Sequence, residues 1–327
     1  MSELAIAAFA AASGTHLLDD PRTRRFEQFR RAFDEEGFRR DLDTRGVRWV
    51  ARSDREFPPL LRSIHDPPPG LFVRGVRELE LLVQPSVAIV GARACSAYGA
   101  SVATELGREL AAVGVPVVSG LARGVDAAAH RGALESGTTL AVLGCGIDRD
   151  YPRAHTVLAA EVSARGLLVS EYPPGVEPAP WRFPARNRIV AGLTQATVVV
   201  EARERSGALI TADLALDEGR EVLAVPGEIT SALSRGTNQL LRLGAVPVTC
   251  AADVLEALGI EPPPAREPPT LEPRLELVRV VVADAATTAN EIARLTGQSA
   301  GEVAAALAEL ELLGLIEEAE GVYRTGR

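Results

Sequence analysis

The sequence predicts an α/β protein: a parallel sheet covered by helices on both faces, preceded by a small helical segment and followed by a separate winged-helix domain. Three observations predict it. Between about Val47 and Gly259 apolar strand-like runs alternate with helical stretches at intervals of roughly 25 residues, the spacing of βαβ units. Residues 261–273, EPPPAREPPTLEP, are too rich in proline to be helical and read as a semi-rigid linker. With 327 residues, 46 % of them hydrophobic, the chain has material for one large core and for smaller satellites beside it.

Residues 1–45 read as short helices, LAIAAFAAA and then FEQFRRAF, with Asp20 and Pro21 as a turn and helix-start signal between them. From 46 to 260 the expected strands are VAIVG (87–91), VPVVSG (115–120), TLAVLG (139–144), LLVSE (167–171), ATVVVEA (196–202), EVLAVPG (221–227) and AVPVTC (245–250). Their near-continuous apolar character is that of strands buried on both sides. Residues 274–327 carry the patterns LELVRVVVADA and AGEVAAALAELELLG, a short helix between them capped by Thr288, and a closing hairpin, EEAEGVYR. Three helices and a terminal hairpin describe a winged helix. Five arginines against nine carboxylates in this module argue that it does not grip DNA on its own, and a protein contact or a packing role is expected instead.

The formal net charge is −9, and every one of the 35 basic residues is arginine. A Walker-type phosphate loop and Schiff-base chemistry both require lysine, so both are excluded. Cys95, Cys145 and Cys250 lack CxxC spacing, and His16, His65, His130 and His155 are scattered, so no metal set or disulfide framework is legible and no cofactor is expected. The apolar start at residues 4–12 has no basic leader, and no run approaches the roughly 18 apolar residues of a membrane span. A cytoplasmic protein without membrane contact is therefore expected.

On an acidic chain any polyanion site must be local. Ligands of open parallel sheets bind beyond the carboxyl ends of the strands, where helix N-termini attract anions. The special residues of this sequence follow its strands: Arg93 after VAIVG, Arg123 after VPVVSG, Tyr151, Pro152 and Arg153 after TLAVLG, and Ser206 with Gly207 after ATVVVEA. Just before that last strand, Phe183, Arg186, Asn187 and Arg188 set two forked cations beside an aromatic ring, as a single nucleic-acid strand requires. Each has an ordinary use as well, since Ser-Gly turns cap helices and Phe-Pro pairs plug cores. Their arrival at one rim from several loops favours a site. The first loop, VAIVGARACSAYG, lacks the GxGxxG of dinucleotide folds. No nucleophile accompanies His130 or His155, and Asp126 and His130 form an i, i+4 helix pair as readily as an acid/base couple, so no catalytic residue is expected.

The ordered motifs VAIVGAR, SGLARGVDAAAH, GCGIDRDYPR, SEYPPG, FPARNRIVAGL, VVVEARERSGALITA, EGREVLAVPG and SRGTNQLLRLGA resemble the DNA-processing protein A family, DprA or Smf, over residues 45–258. The resemblance implies an extended Rossmann-like domain that binds and shields single-stranded DNA, helps to load the RecA recombinase in natural transformation and recombination, forms a homodimer and is not an enzyme. Single-strand-binding protein is a further expected partner. Carried over by position, Arg93 matches a Gly-x-Arg element that contacts the DNA backbone, Arg153 a basic position facing the same groove, and Arg186 and Arg188 a basic signature with Asn187 as a donor and Phe183 as a stacking ring. A rival resemblance is to LOG-type nucleotide phosphoribohydrolases, whose PGGxGT loop corresponds here to PGEITSALSRGTN, without the paired glycines.

Overall fold

Nine short strands line up as one sheet, the central ones apolar enough to be covered on both sides. In this computed structural model residues 2–13, 24–261, 271–285, 287–319 and 321–325 are described. The Asp20–Pro21 helix start and linker residues 262–270 lie outside the described residues. The chain divides into two compact units, Met1–Pro263 and Pro264–Arg327.

In the first unit the strands are β1 Val47–Ala51, β2 Gly70–Arg74, β3 Val87–Val90, β4 Val117–Ser119, β5 Thr139–Val142, β6 Leu167–Ser170, β7 Ala196–Val199, β8 Glu221–Ala224 and β9 Val246–Pro247. Their spatial order is β1-β2-β6-β5-β4-β3-β7-β8-β9. All neighbours from β6 to β9 are parallel, and every residue of β3 to β7 is buried. Side chains alternate between the faces with the period of two that a pleated strand imposes. Ala88 and Val90 pack with Ile189 and Val190 of the helix Arg182–Leu193 and with Ala208 and Ala212 of the helix Gly207–Asp217. Val87 and Ile89 pack on the other side with Leu106 and Leu110 of the helix Ala97–Ala112 and Ala129 of the helix Val125–Ser136.

The sheet departs from an all-parallel one at a single edge. β2 pairs antiparallel with β6, placing Phe72 opposite Ser170, and β1 pairs antiparallel with β2. Trp49 of β1 lies against Phe72 with ring centroids 4.6 Å apart, an aromatic contact that holds this extension to the core. Leu4 and Leu42, from the helices Glu3–Ser13 and Glu35–Thr44, share a core cluster with Phe72, Leu143 and Leu168, so these N-terminal helices belong to the first unit.

The second unit has the helices Pro273–Asp284, Ala289–Thr296 and Ala300–Leu312, followed by antiparallel strands β10 Ile316–Ala319 and β11 Val322–Thr325. Two caps written into its sequence set the helix starts. Thr288 accepts from the Glu291 amide at 3.4 Å, and Ser299 and Glu302 form a reciprocal capping box. Leu275, Val278, Ile292, Val303, Leu307 and Ile316 make up its core, and the whole is a winged helix.

Candidate nucleic-acid interface

From β3 the chain builds outward through β4 and β5 to β6, then returns to place β7 on the opposite side of β3. Loops that leave adjacent strands in opposite directions open a crevice at their carboxyl ends, and here it lies beyond β3, β4 and β7. Two clefts of about 360 Å³ each occupy this rim. They share Arg93, Gly120, Ala122, Phe183 and Arg186, and so form one trough.

The loop after β3 is fixed from below. The Ala92 amide donates to the Glu201 carbonyl at 2.7 Å, and the Glu201 carboxylate accepts from both the amide and the hydroxyl of Ser96, at 2.8 and 2.5 Å. Arg93 is left exposed at the tip, its guanidinium 5.7 Å from the centre of the Phe183 ring. The loop after β4 is held in a less common shape. Leu121 has φ of +57° and Gly124 φ of +77°, and a side chain on Gly124 would strike the Ala92 carbonyl. Asp126 clamps this loop by accepting from the amides of Gly120 (3.0 Å) and Ala122 (3.3 Å). The His155 Nδ1–H donates to the Leu121 carbonyl at 2.9 Å. Arg123 stands exposed beside the second cleft.

The FPARNR stretch is helical, lying in the helix Arg182–Leu193. Phe183 lines both clefts and stacks on Tyr151, with centroids 5.2 Å apart and ring planes 26° from parallel. Arg186 is buried beneath the trough. Its Nη1 donates to the carbonyls of Gly120, at 2.8 Å, and Val142, and its Nε to Asn187 Oδ1 at 3.3 Å. Burial lowers the Arg186 pKa and the Asp126 carboxylate opposes that shift, while burial raises Asp126 against the pull of Arg186. The guanidinium keeps its charge, because arginine does not deprotonate in proteins. Gly120 is required here, since a Cβ at that position would lie 2.3 Å from Arg186 Nη2. Asn187 lines the first cleft and its Nδ2 approaches the Gly207 carbonyl at 3.4 Å.

Arg188 corrects the sequence expectation. It does not reach the trough: Nη1 and Nη2 grip Glu171 at 3.1 and 2.8 Å, and Nε grips Asp66 at 2.9 Å. Residues two apart on a helix leave it about 200° apart, so Arg186 and Arg188 cannot serve one groove.

Ser206 caps the helix Gly207–Asp217, its hydroxyl accepting from the Ala208 amide at 3.3 Å, and Ser206 and Gly207 both line the first cleft. A helix N-terminus at this point presents free amides and a partial positive charge. Arg153 is exposed on the 3₁₀ turn Arg153–His155 and lines neither cleft, although the preceding Tyr151 and Pro152 line the second. Among the described residues Arg93, Arg123 and Arg153 form no ion pair.

The histidines have structural uses. His130 is fully buried, with Nδ1 2.7 Å from Thr139 Oγ1. That hydroxyl donates to the Val117 carbonyl, so the imidazole Nδ1–H is the donor between them. Burial pushes the His130 pKa down to about 3, and the ring stays neutral. No group of metal-binding side chains occurs among the described residues, nor does any helix long and apolar enough to cross a membrane. The 226–234 loop, counterpart of the phosphoribohydrolase loop, lines neither cleft.

Sequence reading missed three features: Tyr151 as the ring that stacks on Phe183, Asp126 as the loop clamp, and Glu171 with Asp66 as partners of Arg188. Only Asp126 carried a signal, being an acid placed in the first turn of the helix after a Gly-rich loop.

This combination, an open parallel sheet with an arginine-lined trough at its switch point and a winged helix as a second unit, defines a Rossmann-like polyanion-binding class. A family model described as DNA recombination-mediator protein A matches residues 48–259, and one described as DprA winged helix domain matches residues 261–321. Protein Smf of Escherichia coli K12 is 42 % identical over 284 residues, covering 83 % of this chain and 75 % of its own. The X-ray structure of DNA processing protein A from Streptococcus pneumoniae superposes with a TM-score of 0.67 at 37 % identity, covering 78 % of this chain and 92 % of that one. DNA processing protein A from Helicobacter pylori, solved for its single-stranded DNA binding mode, superposes with a TM-score of 0.58 at 31 % identity, covering 64 % and 95 %. The chain belongs to the DNA recombination-mediator protein A family, DprA/Smf.

Proposed function

We propose that this protein binds single-stranded DNA in the trough, shields it and promotes RecA loading during natural transformation and recombination, acting as a homodimer and not as an enzyme. One observation carries the binding reading: Arg93, Arg123 and Arg186 converge from three separate elements around the Phe183 ring, at the carboxyl end of the sheet. Phosphates run past Arg93, Arg123 and the Ser206–Gly207 helix start, with Arg153 extending the track. Arg186 supplies fixed positive potential from beneath, and Phe183 with Tyr151 offers ring faces to unstacked bases. Duplex DNA keeps its bases stacked and cannot use those faces.

The test is a gel shift of single-stranded against duplex DNA across a salt series. With three arginine contacts the log-log slope for the single strand is about −2, at roughly 0.7 per phosphate. Arg93→Ala flattens it by one such step and weakens all sequences alike. Equal affinity for duplex, or a slope unmoved by Arg93→Ala, defeats the reading. RecA loading and the dimer are checked separately, by filament assembly on coated strands and by sedimentation.

A further inference from the structure

Arg188 gathers three segments that are remote in sequence. Its fork closes on Glu171 just after β6, its Nε meets Asp66 in the loop before β2, and its own helix carries Phe183 and Arg186 toward the trough. The group is internal: Arg188 is 8 % exposed and Glu171 2 %. A bidentate guanidinium–carboxylate pair is rigid in direction as well as distance. The same helix packs tightly against the 59–64 segment, where a Cβ on Gly192 would lie 2.9 Å from both Leu61 and Ile64. Its azimuth is therefore fixed by Arg188 at one point and by close packing one turn later.

We propose that Arg188, Glu171 and Asp66 form a positioning device that sets the affinity of the trough by holding the helix Arg182–Leu193 in register, without contact between Arg188 and the strand. This rests on the trough being the DNA site. It deepens that reading by assigning to one of the two signature arginines a role with the opposite electrostatic signature.

Glu171→Gln keeps the shape and removes one negative charge from the side of Arg188, and Asp66→Asn does the same. If Arg188 were a phosphate ligand held back by these carboxylates, either change would release it, tighten binding and steepen the salt slope. Positioning gives the other sign. Binding weakens by roughly tenfold, in the range of coupling inside one ion-pair network, while the protein becomes more positive. The slope stays at the wild-type value, because no phosphate contact is lost. Arg188→Lys, which keeps the charge and loses the fork, weakens binding likewise. Asp66→Asn, at the more exposed end of the triad, is the variant to read should Glu171→Gln fail to fold. Unchanged or tighter binding in the glutamine and asparagine variants overturns the proposal. So does a slope flattened in Arg188→Lys. Arg93→Ala, measured in parallel, separates the failures: a flattened slope there with neutral Glu171→Gln defeats positioning alone, and an unmoved slope there defeats the trough itself.

Discussion

Replacing His130 with leucine removes an acid-sensitive element buried in the helix Val125–Ser136. The imidazole is wholly buried, donates to Thr139 and leaves its Nε2 without a partner, and its pKa falls to about 3. In the unfolded chain it titrates near the ordinary value of 6.5. Because the folded value is the lower one, the unfolded state binds the extra proton between the two, and stability is lost as pH falls through that window. At about pH 5 the unfolded histidine is some 30-fold more protonated than not, which corresponds to about 2 kcal/mol lost relative to neutrality. Asp126, raised by burial, works the other way below neutrality but is common to both proteins and drops out of the comparison. Urea denaturation of wild type and His130→Leu at about pH 7 and pH 5 reads the effect directly. The wild type should lose about 2 kcal/mol more than the variant across that interval. Parallel losses in the two proteins would show that His130 is not held neutral by the fold.

Two further outcomes are expected. Gly120→Ala forces a methyl group against Arg186 Nη2, so it should destabilise the protein by roughly 1–3 kcal/mol, read as a lower melting temperature, and weaken single-strand binding as the guanidinium shifts. Removal of residues 262–327 should leave the salt slope for single-stranded DNA unchanged, because the module it deletes carries five arginines against nine carboxylates; a flatter slope in the same gel-shift series would assign phosphate contacts to the wing.

The parallel strands and the winged helix were legible because their signals are local: short runs dominated by Val, Ile, Leu and Ala for β3 to β8, and Thr288 ahead of a short helix between two apolar helical patterns. β1 and β2 were not drawn. Their pairing depends on contacts such as Trp49 against Phe72, which join residues far apart in sequence and leave no periodic trace. At the site, Arg93, Arg123, Phe183, Arg186, Ser206 and Gly207 could be placed at one rim because each follows a strand or lies on a helix start that the sheet directs there. Arg188 failed for a reason of geometry. In a loop the neighbouring arginines of FPARNR can turn the same way, whereas in the helix Arg182–Leu193 the two are sent to opposite sides. Its carboxylate partners, Asp66 and Glu171, lie 122 and 17 residues away, so nothing in the hexapeptide itself announces them.

Arg186 has one further consequence. Arg186 is only 4 % exposed and its Nη1 is tied to the Gly120 carbonyl, so it is largely withdrawn from the solvent ions that gather round a surface arginine. Its attraction is poorly screened as well, because the surrounding protein excludes mobile ions. If the trough is the strand site, concentrated brine silences the exposed arginines first, and the attraction that persists is the one exerted from under the floor.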